Sequence, residues 1–219
     1  MKKQYAVIGL GRFGSSLSQE LIKLGYEVLG IDKSEQAVVD LNDVLTRAVV
    51  ADSTDEDALK SLGIRNFDCV IVAIGDDIQS SILTSLLLKE LEVKTVVAKA
   101  LSDSHGKVLK KLGVDRIVFP ERDMGIRVAN QLSSPNLLDY IEISKDYTIA
   151  ELSVPNRLNG LTLKDLDLRV KYGCSVIAIN KKDSVTIAPM GTDILHEKDV
   201  MVIIGTNQQI EEFEREFID

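Results

Sequence analysis

Short apolar, β-branched runs alternate with amphipathic segments through the first half of the chain, and this alternation constrains the fold more than any other feature. We predict six strands at Tyr5–Ile8, Glu27–Ile31, Arg47–Ala51, Cys69–Ile74, Thr95–Ala98 and Arg116–Phe119. Between them we predict helices at Ser15–Leu24, Glu35–Asn42, Asp55–Leu62, Gln79–Leu91 and Ser104–Leu112. The strands are almost continuously apolar, which is typical of strands covered on both faces. The pattern therefore predicts an α/β fold with a Rossmann-type, doubly wound parallel sheet.

The pattern changes after Phe119. Pro120 suits the first turn of a helix, where Glu121 is also favoured by the helix dipole, and we predict that this helix stops at Ser133-Ser134-Pro135. Five strands follow at Leu138–Ile143, Tyr147–Val154, Ser175–Asn180, Val185–Ala188 and Val200–Gly205, with a short helix at Leu163–Leu168 and a terminal helix at Asn207–Phe217. We therefore predict a Rossmann domain over 1–119, a crossover helix and linker over 120–135, and a smaller α+β C-terminal lobe over 136–219. A lobe of this size favours self-association.

The overall charge excludes one class of partner. The formal net charge is −8 and the isoelectric point is near 4.9, whereas a general nucleic-acid binder needs a basic face for phosphate contacts. A local group of backbone N–H donors can still bind a small phosphate on an acidic protein. We therefore expect no nucleic-acid partner.

The sequence also predicts where the protein is located and where its cysteines and histidines lie. No secretory signal follows Met1, and the apolar runs are too short to span a membrane, so we expect a cytoplasmic protein that reaches the membrane only through a partner. Cys69 and Cys174 lie in predicted buried strands and are expected to be reduced core thiols. His105 and His196 lie in polar segments and are expected on the surface.

The glycine-rich segment Gly9-Leu10-Gly11-Arg12-Phe13-Gly14 directly follows the first predicted strand and opens the first helix. In a dinucleotide-binding turn the first glycine permits the tight turn, the second lets a diphosphate approach the backbone, and the third lets the helix pack against the sheet. Asp32 ends the second strand, where a carboxylate can accept hydrogen bonds from both ribose hydroxyls. Asp32 would repel a 2′-phosphate, an effect that the adjacent Lys33 reduces, so unphosphorylated ribose is favoured.

Residues after the third and fourth strands fall where this fold holds the base. Asp52 can accept from an adenine amino group, and Ser53 or Thr54 can help to fix the base; alternatively, Ser53 or Thr54 caps the next helix. Gly75-Asp76-Asp77 either closes over the ligand or forms a simple turn and cap.

Two cations are unusual for an ordinary dinucleotide site. Arg12 lies inside the glycine loop, where its guanidinium can reach a terminal phosphate, or else it is a solvated surface arginine. Lys99 ends the fifth strand beside the cleft and is either a second phosphate-binding cation or an ordinary strand-end lysine.

An NAD-dependent oxidoreductase is the alternative function. Hydride transfer needs an acid or base beside the nicotinamide, yet no tyrosine is followed four residues later by lysine, and neither histidine lies in a catalytic motif. The sequence therefore favours a nucleotide-binding protein that is not an enzyme.

Taken together, the motifs resemble a known family. Ala6 to Gly14, Ala51-Asp52-Ser53-Thr54, Leu62-Gly63-Ile64, Cys69–Gly75 and Phe119 to Gly125 resemble the RCK (KTN, TrkA-type) regulators of bacterial potassium uptake, closest to the cytosolic Ktr subunits of the KtrA and KtrC type. Gly160 to Leu166 and Arg169 to Ile179 resemble their C-terminal lobe.

The resemblance implies a gating subunit that binds ATP or ADP, with NAD also possible, in its Rossmann site. It implies dimers that assemble into an octameric ring under a membrane-embedded, potassium-translocating subunit of the KtrB or KtrD type. Arg12 matches the arginine that senses the terminal phosphate. Glu121 matches the acid that helps to hold Mg²⁺ or another divalent cation near the phosphates.

The same resemblance implies a second nucleotide site, for cyclic di-AMP, in the C-terminal lobe. We place it at Arg169, Lys171, Val176, Ile177 and Pro189.

Overall fold

The computed structural model describes residues 3–133 and 137–218, the side chains of 217 and 218 excepted. The chain divides into two compact units, Met1–Arg122 and Asp123–Asp219. The expected helix stop at Ser134-Pro135, the end of the linker and the start of the second lobe at 136 lie outside the described residues.

The first unit contains a six-stranded, all-parallel sheet in the order β3-β2-β1-β4-β5-β6. Its strands are β1 (Gln4–Ile8), β2 (Glu27–Asp32), β3 (Arg47–Val50), β4 (Cys69–Val72), β5 (Val96–Lys99) and β6 (Arg116–Val118). Its helices are α1 (Arg12–Lys23), α2 (Glu35–Leu41), α3 (Glu56–Ser61), α4 (Ile78–Glu90) and α5 (Asp103–Lys111), followed by α6 (Pro120–Ser133), which ends in the second unit. The predicted doubly wound Rossmann sheet is confirmed.

The central strand shows why the strand segments are continuously apolar. Ala6 and Ile8 of β1 belong to one buried cluster, whereas Val7 belongs to another. Successive side chains of a strand point to opposite faces, so β1 contributes to a core on each side of the sheet. A strand in this position cannot alternate apolar with polar residues.

The carboxyl edge of this sheet positions the candidate site. The strand order reverses at the neighbouring pair β1 and β4, and loops after such strands diverge to leave a crevice. The first turn is tied to its neighbours, because Gly9 N–H donates to the Ile31 carbonyl at 2.8 Å and Ala73 N–H donates to the Ile8 carbonyl at 2.7 Å.

The second unit contains a five-stranded antiparallel sheet in the order β10-β9-β11-β8-β7. Its strands are β7 (Leu137–Glu142), β8 (Tyr147–Ser153), β9 (Ser175–Lys181), β10 (Ser184–Ile187) and β11 (Val200–Thr206), and its helices are α7 (Leu163–Leu166), α8 (Leu168–Lys171) and α9 (Asn207–Ile218). Its core includes Leu152, Ile179 and Met201. The predicted smaller α+β lobe is confirmed, but the single helix expected at Leu163–Leu168 is two short helices, because Asp167 between them has a left-handed backbone with φ of 47°.

The expectation that His105 lies on the surface is wrong. Ser102 caps α5 by accepting from His105 N–H, and His105 is only 3% exposed. Its Nδ1 accepts from Leu101 N–H at 3.3 Å. Burial lowers the pKa of His105. His196 is exposed, as expected.

The two thiols behave as core residues. Cys174 is buried and Cys69 is half-buried, and both are free. Burial raises the pKa of Cys69 and raises that of Cys174 to about 11. Thiols with a raised pKa are poor nucleophiles and poor metal ligands at neutral pH. Among the residues described here, no helix is long and apolar enough to cross a bilayer.

Candidate functional site

A cavity of about 390 Å³ opens at the carboxyl edge of the parallel sheet. Of the twelve residues that the sequence predicted to bind nucleotide, eleven line it: Gly9, Gly11, Arg12, Phe13, Asp32, Lys33, Asp52, Ser53, Gly75, Lys99 and Glu121. The twelfth, Gly14, is not among the residues that line the cavity. Residues from six separate segments, at the carboxyl ends of the six strands, therefore meet in one place.

The three glycines of the first turn differ in whether the fold requires a residue without a side chain. Gly9 has φ of 94°, and a Cβ there would lie 2.9 Å from the Ile74 nitrogen. A Cβ on Gly14 would lie 1.8 Å from the Gly9 carbonyl oxygen. A Cβ on Gly11 would meet no atom within 4 Å and has no positive φ to relieve. The fold thus requires Gly9 and Gly14, but nothing in the described fold requires Gly11.

Asp32 holds the loop as well as facing the cavity. Its Oδ2 accepts from Leu10 N–H at 2.6 Å and its Oδ1 accepts from Ser34 N–H at 2.8 Å. Each carboxylate oxygen has a second acceptor position. The carboxylate can therefore fix the glycine turn and still accept from a ligand hydroxyl.

Asp52 and Ser53 occupy the wall after β3 in different ways. Asp52 is exposed, and its Oδ1 accepts from both the backbone N–H and the hydroxyl of Thr54, which lowers the pKa of Asp52. The Ser53 hydroxyl is buried and lies 2.8 Å from that of Thr84 on α4. Asp52 therefore remains an anionic acceptor, whereas the Ser53 hydroxyl is already engaged.

The alternative role of Ser53 or Thr54 as a helix cap is wrong. The cap of α3 is Asp55, whose carboxylate accepts from Asp57 and Ala58 N–H groups at 2.9 and 3.3 Å. Ser53 cannot serve because it is buried against Thr84. Its neighbour Thr54 donates its hydroxyl to Asp52.

The loop after β4 lines the cavity and caps the next helix. Gly75 and Asp76 line the cavity, and Asp77 caps α4 by accepting from Ser80 N–H at 3.0 Å. The Ser80 hydroxyl also donates to Asp77, which lowers the pKa of that carboxyl.

Lys99 and Glu121 form an ion pair inside the cavity. Lys99 Nζ donates to Glu121 Oε1 at 2.6 Å. The Lys99 side chain is buried, 8% exposed, whereas that of Glu121 is 66% exposed. The hydrogen bond from Lys99 holds the pKa of Glu121 below its usual value, and the charge of Arg12 adds to this effect. Lys99 is therefore not an ordinary solvated strand-end lysine.

The cavity suits a phosphorylated nucleoside. The N-terminus of α1, backbone N–H groups and the cations Arg12 and Lys99 are among the groups that line it, and such groups bind anions favourably. The carboxylates of Asp32 and Asp52 lie among the residues after β2 and β3 and can accept from hydroxyl and amino groups.

A metal ion would need ligands beyond the protein. Across residues 3–133 and 137–218, no three His, Cys, Asp or Glu side chains come together as a metal site. Mg²⁺ commonly binds through one or two carboxylates together with substrate phosphates. Glu121 therefore fits a Mg²⁺ site in which phosphate oxygens supply further ligands, and not a site built from protein side chains alone.

Sequence reasoning missed Ser34 and Ser80, which also line the cavity. Ser34 caps α2 by accepting from Ala37 N–H. A serine directly before a predicted helix and after a strand end was the available signal, since helix N-termini face the ligand in this fold.

The residues of the C-terminal lobe that were predicted to bind cyclic di-AMP differ in their burial. Arg169 and Lys171 are exposed on α8, and Ile177 and Pro189 are half-buried. The Ile177 carbonyl accepts from Ala188 N–H at 2.9 Å, which brings the segment before Pro189 to β9. Val176 packs against the buried core of the unit, so its side chain is committed there.

Comparisons with known proteins identify the family. The TrkA-N domain matches residues 5–120 and the TrkA-C domain matches residues 147–218. Ktr system potassium uptake protein C of Bacillus subtilis (strain 168) is 49% identical over 98% of this chain and 97% of its own length. Ktr system potassium uptake protein A of the same organism is 48% identical over 98% of this chain and 96% of its own length.

Among solved structures, the RCK domain of GsuK superposes with a TM-score of 0.71 at 20% identity, covering 98% of this chain and 47% of that chain. This likeness supports the fold. The expectation of a regulator rather than an enzyme agrees with relatives that are potassium uptake proteins. The chain belongs to the TrkA family of RCK regulators and is a relative of the Ktr system potassium uptake proteins.

Proposed function

We propose that this chain is the cytosolic gating subunit of a potassium uptake system and that it binds ATP and ADP in the cavity of its Rossmann unit. The observation that carries the proposal is the open space at Gly11. Because no atom lies within 4 Å of a Cβ there, the absence of a side chain serves a ligand rather than the fold, and a diphosphate is the ligand that needs such an approach.

The nucleoside end of the ligand lies at β2 and β3 in this proposal. Asp32 accepts from the ribose hydroxyls through the acceptor positions that Leu10 and Ser34 leave open. Asp52, whose pKa is lowered by Thr54, accepts from the adenine amino group. Ser53 supports this wall through Thr84 instead of bonding the base.

The phosphate end lies against α1 and β5. Backbone donors of the glycine turn and the ammonium of Lys99 receive the phosphates, and exposed Arg12 reaches the terminal one. Glu121 and phosphate oxygens together hold Mg²⁺ or another divalent cation, which bridges groups that would otherwise repel.

The relatives, which are Ktr system potassium uptake proteins, support a role beside a membrane-embedded partner. The chain acts at the inner face of the membrane by docking, as dimers in an octameric ring, on a potassium-translocating subunit of the KtrB or KtrD type. ATP favours the active ring and ADP the inactive one.

A second regulatory site for cyclic di-AMP is proposed in the C-terminal lobe. Arg169 and Lys171 supply exposed cations for its phosphates, and Ile177 and Pro189 supply apolar surface for its bases. Val176 acts from behind by packing in the core.

Calorimetry with ATP, ADP and NAD, with and without Mg²⁺, tests the central claim. We expect ATP and ADP to bind with no oxidation of NADH, and Glu121→Gln to keep nucleotide binding while losing the Mg²⁺ dependence of ATP-driven potassium flux in reconstituted vesicles. Absence of ATP and ADP binding would overturn the proposal. Substrate-dependent turnover of NADH would favour the oxidoreductase.

A further inference from the structure

The ion pair between Lys99 and Glu121 joins two groups of very different exposure to solvent. The Lys99 side chain is 8% exposed at the end of β5, and that of Glu121 is 66% exposed in the first turn of α6. Another ion pair of this unit, Arg65 with Glu92, has the same distance of 2.6 Å, but its side chains are 69% and 73% exposed. Only the former therefore has one fixed and one movable partner.

The ammonium of Lys99 is held in place on several sides. A Cβ on Gly75 would lie 3.0 Å from Nζ, and the ring centre of Phe13 lies 5.9 Å from it. Ala98 and Ala100 on either side in sequence are buried. A buried ammonium carries a large desolvation cost unless an anion compensates it, so Lys99 requires a counter-charge whether or not a ligand is bound.

Glu121 is the group that can leave. Its carboxylate already faces solvent over most of its surface, and α6 buries none of its described side chains. A released Glu121 regains hydration at once, whereas a released Lys99 cannot. Any anion that enters the cavity and reaches Nζ therefore competes with Glu121 for one fixed cation.

We propose that Lys99 is an exchange site: its ammonium holds Glu121 in the nucleotide-free protein, and a phosphate of the bound nucleotide displaces that carboxylate. This rests on the proposed function and specifies its regulation. The displaced carboxylate becomes available for a cation or a second subunit only when the phosphate is present. The position of the Glu121 carboxylate on α6 therefore depends on whether a phosphate is bound to Lys99.

Calorimetry in EDTA with AMP, ADP and ATP on the full-length protein tests the exchange. Removing the competitor by Glu121→Gln should tighten ATP binding about tenfold, and AMP binding less, since a charge-assisted hydrogen bond no longer has to be broken. Lys99→Gln should weaken ATP binding by a similar factor. In the double variant Glu121→Gln should bring no gain, because the cation for which it competed is absent.

The double variant separates exchange from simple repulsion. If Glu121 only repelled the phosphate through space, its gain would persist with Lys99→Gln, and the proposal would be wrong. An unchanged or weaker affinity of Glu121→Gln would also refute it. Glu92→Gln, at the exposed pair, should leave all three affinities unchanged.

Two further arms keep the test decisive. Should Lys99→Gln fail to fold, Lys99→Met serves, because it keeps an unbranched side chain in the buried position and removes the ammonium; it should abolish the Glu121→Gln gain. If no nucleotide binds any variant, the proposed function and the exchange both fail. If nucleotides bind and the gain is absent, only the exchange fails.

Discussion

Replacing Gly14 with alanine tests whether the first turn is built by close contact between strand and helix. The new Cβ would lie 1.8 Å from the Gly9 carbonyl oxygen and 3.2 Å from the Cβ of Ala73. The blocking atom is backbone, so α1 must move away by more than an ångström. Overpacking of this kind costs about 1–3 kcal/mol, and we expect the upper end because no flexible side chain can yield.

Gly11→Ala is the matched control at the same turn. Its Cβ meets nothing within 4 Å, and φ of −65° suits alanine. Losing glycine at the N-cap costs about 0.5 kcal/mol or more, whereas the restricted unfolded chain returns about 0.4–1 kcal/mol, so the free energy of unfolding should change little. Its methyl group should instead obstruct the phosphates and weaken ATP binding.

Urea unfolding followed by circular dichroism, with calorimetry on the folded variants, measures both effects. We expect Gly14→Ala to lower the urea midpoint clearly and Gly11→Ala to leave it nearly in place while reducing ATP affinity. Equal stability of the two variants would refute the steric account of Gly14. Full ATP affinity in Gly11→Ala would remove the observation on which the nucleotide site rests.

Three more predictions concern single side chains. Asp32→Asn should lower both nucleotide affinity and thermal stability, because an amide N–H₂ would face the N–H of Leu10 or Ser34; a loss of affinity without any change in melting temperature would contradict the role in the loop. Arg12→Ala should weaken ATP more than ADP by calorimetry, and equal losses would make Arg12 a general part of the loop. Burial lowers the pKa of His105 in the folded state, so below about pH 6.5 unfolding takes up a proton. The free energy of unfolding should therefore fall as the pH drops from about 6.5 towards the lowered pKa. His105→Gln should flatten this pH dependence in urea titrations, and an unchanged pH dependence would contradict the role of His105.

The Rossmann unit was predictable because its signals are local. A strand such as β1, with Ala6 and Ile8 in one core cluster and Val7 in another, must be apolar throughout, and that property is visible in the sequence. The glycine turn and Asp32 have fixed spacing for steric reasons that act within a single β-α-β unit. The cavity lining followed directly, since strand ends of a parallel sheet share one edge.

The errors had two causes, a distant partner at Ser53 and an overlooked helical period at His105. Ser53 looked like a helix cap, but its hydroxyl is engaged by Thr84, 31 residues away, so Asp55 caps the helix instead. His105 lies in a polar segment, yet it shares a buried helical face with Leu109, four residues later. Composition suggested the surface, whereas the helical period would have indicated the core.

The pairing of Lys99 with Glu121 spans 22 residues and changes what each residue can do. A ligand shifts a gating equilibrium only by the difference in its affinity for the two states. ATP and ADP share base, ribose and two phosphates, so in the proposed site the difference must arise at the last phosphate, which we assign to Arg12, Lys99 and Glu121. A fixed ammonium cannot transmit a signal by moving, but it can bind either of two anions. Under the proposed exchange, the exposed carboxylate on α6 is the part that responds, because its position would depend on whether phosphate has taken its place.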